Sequence, residues 1–241
     1  MDANGSSKPL PELVYERLLE AICAGRLEPG TRLRQETLAA ELEVSRLPVG
    51  QALKRLETEG FVCSAARRGL MVTPLDIRFV RELYEFRAGI EQMAAGLAAR
   101  NASAGTTPKG TKILRRGRTA IAAHDIPGLI ASDMAFHQLI YELADNTLIR
   151  DAMASHWNHT RRVMQQILVD NRNQDQVWSD HEAILAAVCA GDVPAAERCA
   201  REHVQRAAAW FERGAWRRLG DPGAPPPARS GDAHSGGPQP G

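Results

Sequence analysis

The chain has 241 residues, 44% of them hydrophobic, 24% charged and 5% aromatic, with a formal net charge of +1. That length favours two domains, and the Ala- and Leu-rich, aromatic-poor composition favours helices over a β-rich fold. A near-neutral chain is no polycation, so any nucleic-acid footprint must be local; with no apolar run near the ~18 residues of a membrane helix and no apolar core in "MDANGSSKPLPE", a cytoplasmic protein with no membrane partner is expected.

In chain order, residues 1–9 are polar and read as a flexible N-terminus. Over 10–75, short helical patterns alternate with turn signals. "LVYERLLEAICAG" carries an apolar stripe at Leu13, Val14, Leu18, Leu19 and Ile22, with Gly25 as a stop. "LEPGT" is a turn, and "RQETLAAELEV" a short second helix with Leu38 and Leu42 inward. Ser45 is an N-cap candidate for a third helix from about Pro48 to Glu59. A β-like segment, "GFVCSAARRGLMVTPL", follows, with Arg67, Arg68 and Gly69 where a hairpin would turn. Three helices and a hairpin describe a winged helix-turn-helix DNA-binding domain. Over residues 1–75, ten Lys/Arg balance ten Asp/Glu. Between Val44 and Gly69, however, five basic residues (Arg46, Lys54, Arg55, Arg67, Arg68) face two acidic ones (Glu57, Glu59), so the expected contact face is net positive.

The run "LRQETLAAELEVSRLPVGQALKRLETEGFV", with the wing "RRGLMV", resembles the DNA-binding half of GntR-type bacterial transcription regulators. The resemblance implies that Arg34 reaches the operator from the start of the second helix, Ser45 and Arg46 from the turn and tip of the third, and Gly69 from the wing. Gln51 and Lys54 belong to the same expected face. The chain departs from the family pattern Ser-Arg-Thr-Pro-Val-Arg-Glu-Ala-Leu at Leu47, Gly50 and Gln51. An arginine bonded to guanine supplies about 1–3 kcal/mol of discrimination, so a dimer lacking it at Gly50 is expected to bind DNA with altered or relaxed preference. A regulator that has lost operator recognition is the alternative.

Residues 76–218 read as helical almost throughout, an all-α antiparallel bundle, with breaks at "NASAGTTPKG", "HDIPG", "DNT", "DNRNQD" and "GDVP". In "IPGLIASDMAFHQLIYELA", Asp133 and His137 are four residues apart and share a helix face. In the later hairpin, His181 lies near the start of the first helix and His203 inside the second, which Asp192 can cap; the two histidines then sit at similar heights, about 15 Å from the turn. Three imidazoles and a carboxylate suit Zn²⁺, Ni²⁺, Mn²⁺ or Fe²⁺. Taken singly, each residue reads more simply as a surface polar group or a satisfied core histidine.

The pattern Asp-x-x-x-His, then Asp-His-x-x-Ile-Leu, then Glu-His resembles the effector domain called FCD, found in the FadR branch of GntR regulators. It implies a divalent metal, zinc first among the choices, held by Asp133, His137, His181 and His203. It also implies effector-binding roles for Arg87 and Asn146, and a small organic acid as effector. Arg87 suits a carboxylate, though an ion pair with Glu82, Glu85 or Glu91 is its competing role. His156 and His159 are expected on the surface or lining the cavity rather than as ligands. The whole implies a homodimeric repressor on a palindromic operator and not an enzyme, a metalloenzyme using the same four residues being the competing class. The four cysteines, with no CxxC spacing, are expected as free thiols, and residues 219–241, rich in Pro and Gly, as a disordered tail.

Overall fold

The computed structural model describes residues 8–65, 69–103, 105–168 and 171–219. The C-terminal tail and the wing residues Arg67 and Arg68 lie outside them. The element order is α1 (Leu10–Cys23), β1 (Arg32–Leu33), α2 (Gln35–Glu41), α3 (Arg46–Thr58), β2 (Val62–Ser64), β3 (Leu70–Val72), α4 (Ile77–Asn101), α5 (Thr106–Ala122), α6 (Ile126–Ala144), α7 (Thr147–Leu168), α8 (Asn171–Cys189) and α9 (Val193–Leu219). A small winged-helix unit thus precedes an all-helical one.

In the first unit, Val14, Leu18 and Ile22 of α1 share a core with Val49, Leu53 and Leu56 of α3. Full burial of each such side chain stabilises by about 1.5–3 kcal/mol, which holds the outer face of α3 towards solvent. Helix α3 ends in a Schellman motif: Gly60, at φ +80°, donates to the Glu57 carbonyl, and Phe61 donates to that of Leu56. The chain then enters the hairpin of β2 and β3, paired antiparallel with Val62 opposite Val72 and Ser64 opposite Leu70. Strand β1 adds a third, edge strand through Arg32 opposite Met71. The sequence reading has no such strand, because two residues carry no periodicity.

Helix starts differ from expectation at α1, which begins at Leu10 rather than Leu13, and at three further helices. Helix α3 begins at Arg46 and α5 at Thr106. In each, a proline (Pro48, Pro108) falls in the first turn, where a missing N–H costs nothing. Helix α8 begins at Asn171, inside the expected break, because its own amides close the end of α7: Asn173 donates to the Ile167 carbonyl and Gln174 to that of Leu168. His181 therefore lies mid-helix rather than near a helix start. The Asp192 cap forms as expected, accepting from the Ala195 amide.

Helix α4 is the spine of the second unit, packed on α6, α8 and α9. Its buried alanines, Ala94, Ala95, Ala98 and Ala99, let neighbouring helices approach closely. The units meet along α7. His159 stacks on Phe61 with ring centroids 4.1 Å apart and its Nε2 is 3.0 Å from the Glu59 carbonyl. Arg162 donates to the Thr73 carbonyl, and Arg161 to the Glu20 carboxylate. Cys23, Cys63, Cys189 and Cys199 are free thiols. Burial pushes the Cys23 thiol up to about 11, so it stays protonated and unreactive.

Candidate functional site

Two features of the fold carry chemistry: a buried polar cluster in the helical unit and the exposed face of α3. The four-residue spacing on α6 sets Asp133 and His137 on its inward face, while α8 and α9 bring in His181 and His203. All four are buried, and one ligand atom from each lies within 4.8 Å of the others. Asp133 Oδ2 is 3.6 Å from His137 Nε2, and Asp133 Oδ1 is 3.4 Å from His181 Nε2.

The donors fit a cation better than they fit one another. Asp133 Oδ2, His137 Nε2 and both ring nitrogens of His181 are buried without a hydrogen-bond partner. Each such atom costs about 1–3 kcal/mol when left unsatisfied. Ligand atoms about 2.1 Å from a common ion sit about 3–3.5 Å apart, close to the two Asp133 gaps of 3.6 and 3.4 Å, while the full set of four spans up to 4.8 Å. Burial, reinforced by His203 and His137, holds the His181 imidazole well below its ordinary pKa. It is therefore neutral at neutral pH, the form that ligates. Burial raises the Asp133 carboxyl, an effect that His137 and His203 oppose.

Two residues stand behind the cluster's imidazoles: Glu91, which the sequence reading named only as a possible partner of Arg87, and Asp180, which it did not single out. Glu91, on α4, faces His137 Nδ1 at 2.5 Å, leaving Nε2 for the cluster. Asp180, on α8, lies 3.4 Å from His203 Nδ1 and is itself held by Arg206 at 3.1 and 3.2 Å. Carboxylates behind metal-binding imidazoles fix tautomer and ring direction. Burial would raise the Glu91 carboxyl, but His137 and Arg87 outweigh it and hold it below the usual range. For His137 burial acts downward, and Glu91 and Asp133 turn the balance upward.

Arg87 forms the ion pair with Glu91 that was its competing role, and it also borders the cluster. Its Nε and Nη2 donate to Glu91 at 3.2 and 2.8 Å, and its side chain lines a cavity shared with Asp133, His137 and His203. That cavity is only about 20 Å³, room for one water-sized group, and Met164, Ile167 and Leu168 of α7 form a wall of it. Asn146 lies elsewhere: its amide oxygen accepts from the Leu148 and Ile149 amides and so caps α7, outside the residues that line the cavity. His156 bonds the Ala152 carbonyl and His159 faces the winged helix, so neither joins the cluster. A larger cavity, about 540 Å³, opens between α6 and α7 behind Tyr141 and Trp157, whose rings lie 6.4 and 6.1 Å from that of His137.

On the face of α3, Arg46, Gln51 and Lys54 are exposed, as are Arg34 at the start of α2 and Gly69 before β3. Ser45 precedes α3 without a side-chain cap bond, leaving its hydroxyl available. Arg46 is paired at 3.0 Å with Glu36, and Lys54 at 3.1 Å with Glu57. These exposed pairs are worth at most about 1 kcal/mol and exchange readily for phosphates.

Residues 10–72 match the model of the gntR family of bacterial regulatory proteins, and residues 82–206 that of the FCD domain. The chain is 44% identical over 75 residues to the Nta operon transcriptional regulator of Aminobacter aminovorans, a match spanning 31% of this chain and 36% of that protein. It is 26% identical over 199 residues to the HTH-type transcriptional repressor RspR of Escherichia coli (strain K12), covering 83% of this chain and 87% of the relative. Among solved structures, E. coli McbR/YncC superposes with a TM-score of 0.73 at 22% identity, covering 87% of this chain and 100% of that one. The two sequence relatives are named as regulators rather than enzymes, and McbR/YncC shares the fold. Among the described residues, no helix is long and apolar enough to cross a membrane.

Proposed function

We propose, since this chain belongs to the GntR family of bacterial regulatory proteins and carries an FCD domain, that it is a homodimeric, cytoplasmic transcriptional repressor. In this reading its affinity for a palindromic operator responds to a small organic acid bound beside a divalent metal, zinc by preference. The observation that carries the proposal is the buried Asp133, His137, His181 and His203 cluster with its orphaned lone pairs, on the same chain as a winged helix.

The four residues would hold the ion, and Glu91 and Asp180 would keep His137 and His203 turned towards it. When bound, the metal supplies positive charge and an open position for a carboxylate. Arg87 supplies the second anchor, through two parallel hydrogen bonds, once it exchanges Glu91 for the incoming acid. The roughly 20 Å³ beside it cannot accept an acid as it stands, so binding displaces the α7 wall at Met164, Ile167 and Leu168. Helix α7 also carries His159, Arg161 and Arg162 against the winged helix, so its displacement reaches the DNA-binding unit. Coupling of about 1–3 kcal/mol yields a 5- to 150-fold change in operator affinity.

The test is metal content of the purified protein, followed by operator titrations with and without a panel of small hydroxy- and dicarboxylic acids, for the wild type and Asp133→Asn. One metal per chain and an acid response lost in the variant support the proposal. An acid response unchanged in Asp133→Asn contradicts it.

A further inference from the structure

The outward face of α3 is cationic at its edges and apolar at its centre. The side chains of Arg46 and Lys54 are 69% and 77% exposed. Between them stands Leu47, 71% exposed, although the core of this unit is built on the opposite side of the helix, from Val49, Leu53 and Leu56. So exposed a leucine buries little on folding; what sets Leu47 apart from the other exposed apolar side chains is that it lines a depression on the expected DNA-contact face.

One turn on, Gly50 leaves a notch. The nearest atoms a Cβ at this position would meet belong to the Gln35 side chain, at an ordinary 3.6 Å, so neither close contact nor a positive φ calls for glycine. The Gln35 amide, from the first residue of α2, lies over that notch. The result is a depression of about 620 Å³ lined by Gln35, Arg46, Leu47, Gly50, Gln51 and Lys54. Among the described residues, the amides of Gln35 and Gln51 have no hydrogen-bond partner.

An exposed apolar side chain flanked by free carboxamides and ringed by cations matches one surface in particular. In the major groove an A·T pair offers the thymine C5 methyl to an apolar group and the adenine N6 and N7 to a carboxamide, with phosphates on either side for Arg46 and Lys54. A guanine-reading site would need a cation at the centre, where this chain has leucine and glycine. We propose that Leu47 packs on a thymine methyl in each half-site, and that the Gly50 notch lets the Gln35 amide reach the paired or neighbouring adenine. This rests on the operator-binding reading of α3.

The experiment uses the full chain. Duplexes preferred by the wild type are selected from a randomised pool at fixed salt; each thymine of the winning sequence is then replaced singly by deoxyuridine, which removes only the methyl, and affinities are read by fluorescence anisotropy. One thymine per half-site should weaken binding about 4-fold on losing its methyl, and about 15-fold when both half-sites are changed. In Leu47→Ala, whose exposed site leaves the fold intact by circular dichroism, the same replacements should change affinity less than twofold. Gly50→Arg should move the selected half-site from A·T towards guanine. If selection enriches no sequence, the operator-binding reading itself fails. If a sequence is enriched but tolerates deoxyuridine throughout, or if Leu47→Ala keeps the thymine dependence, this inference is overturned while operator binding stands.

Discussion

Replacing Glu91 with glutamine keeps the side chain's shape and removes its charge, which separates two effects. Oε1 of Glu91 accepts both Arg87 hydrogen bonds and Oε2 faces His137 Nδ1, with the Arg87 and Glu91 side chains only 3% and 4% exposed. Without the carboxylate, the buried guanidinium loses its counter-charge, which costs about 3–5 kcal/mol; the remaining amide oxygen places Glu91→Gln at the lower end. His137 also loses the acceptor that directs Nε2 to the cluster, which should weaken metal binding about 10- to 100-fold. Urea denaturation of the metal-free protein reads the first effect, and zinc competition against a chromophoric chelator reads the second. The double variant Arg87→Met, Glu91→Gln removes both charges, so it should regain most of the stability yet keep the weakened zinc binding. If the double variant regains both, or if Glu91→Gln binds zinc like the wild type, Glu91 serves only the ion pair and its assignment behind His137 is wrong.

Three further outcomes follow from named contacts. Burial, helped by Arg162, holds His159 below its ordinary pKa of about 6.5, and its Nδ1 is buried with no partner. The unfolded chain therefore takes up this proton first, so the stability His159 contributes is complete above about pH 6.5 and is lost as pH falls from there through the folded pKa. His159→Phe, which keeps a ring on Phe61, should lose less stability than the wild type between pH 7.5 and 5.5 in thermal melts; equal losses would exclude the effect. A Cβ on Gly117 would lie 1.5 Å from Trp178 Cζ2, and Trp178 donates to the Leu114 carbonyl, so Gly117→Ala should destabilise by about 2–3 kcal/mol in denaturant titrations. Gly50→Arg, by contrast, has room, and the gain in helix propensity should leave its melting temperature at or slightly above that of the wild type.

Much of this was legible in the sequence, for identifiable reasons. The apolar stripes of α1 and α3 and the Gly-bearing hairpin announce a winged helix, since each is a local pattern. Asp133 and His137 declare a shared face through helical spacing alone, and the Asp192-capped hairpin brings His181 and His203 to one level. The places of Glu91 and Asp180 behind the imidazoles stayed hidden because a single acid in a helix looks the same whether it meets water or a histidine on another helix. Long-range packing decides that, as it decides that His159 touches Phe61 and that the Arg87–Glu91 pair, four residues apart on α4, is buried beside the cavity. The start of α8 was misread because Asn and Gln near a helix end can either break the chain's helicity or, as Asn173 and Gln174 do, satisfy the last carbonyls of the preceding helix.

Operator recognition is tested by fluorescence anisotropy of the full chain against DNA from its own upstream region, with random DNA as competitor at fixed salt. A sequence-reading repressor should prefer the upstream sequence by at least about a hundredfold, within the range of specific over non-specific binding. Equal affinity for both, with Gly50→Arg regaining a preference, would contradict it and leave a winged helix that no longer reads sequence.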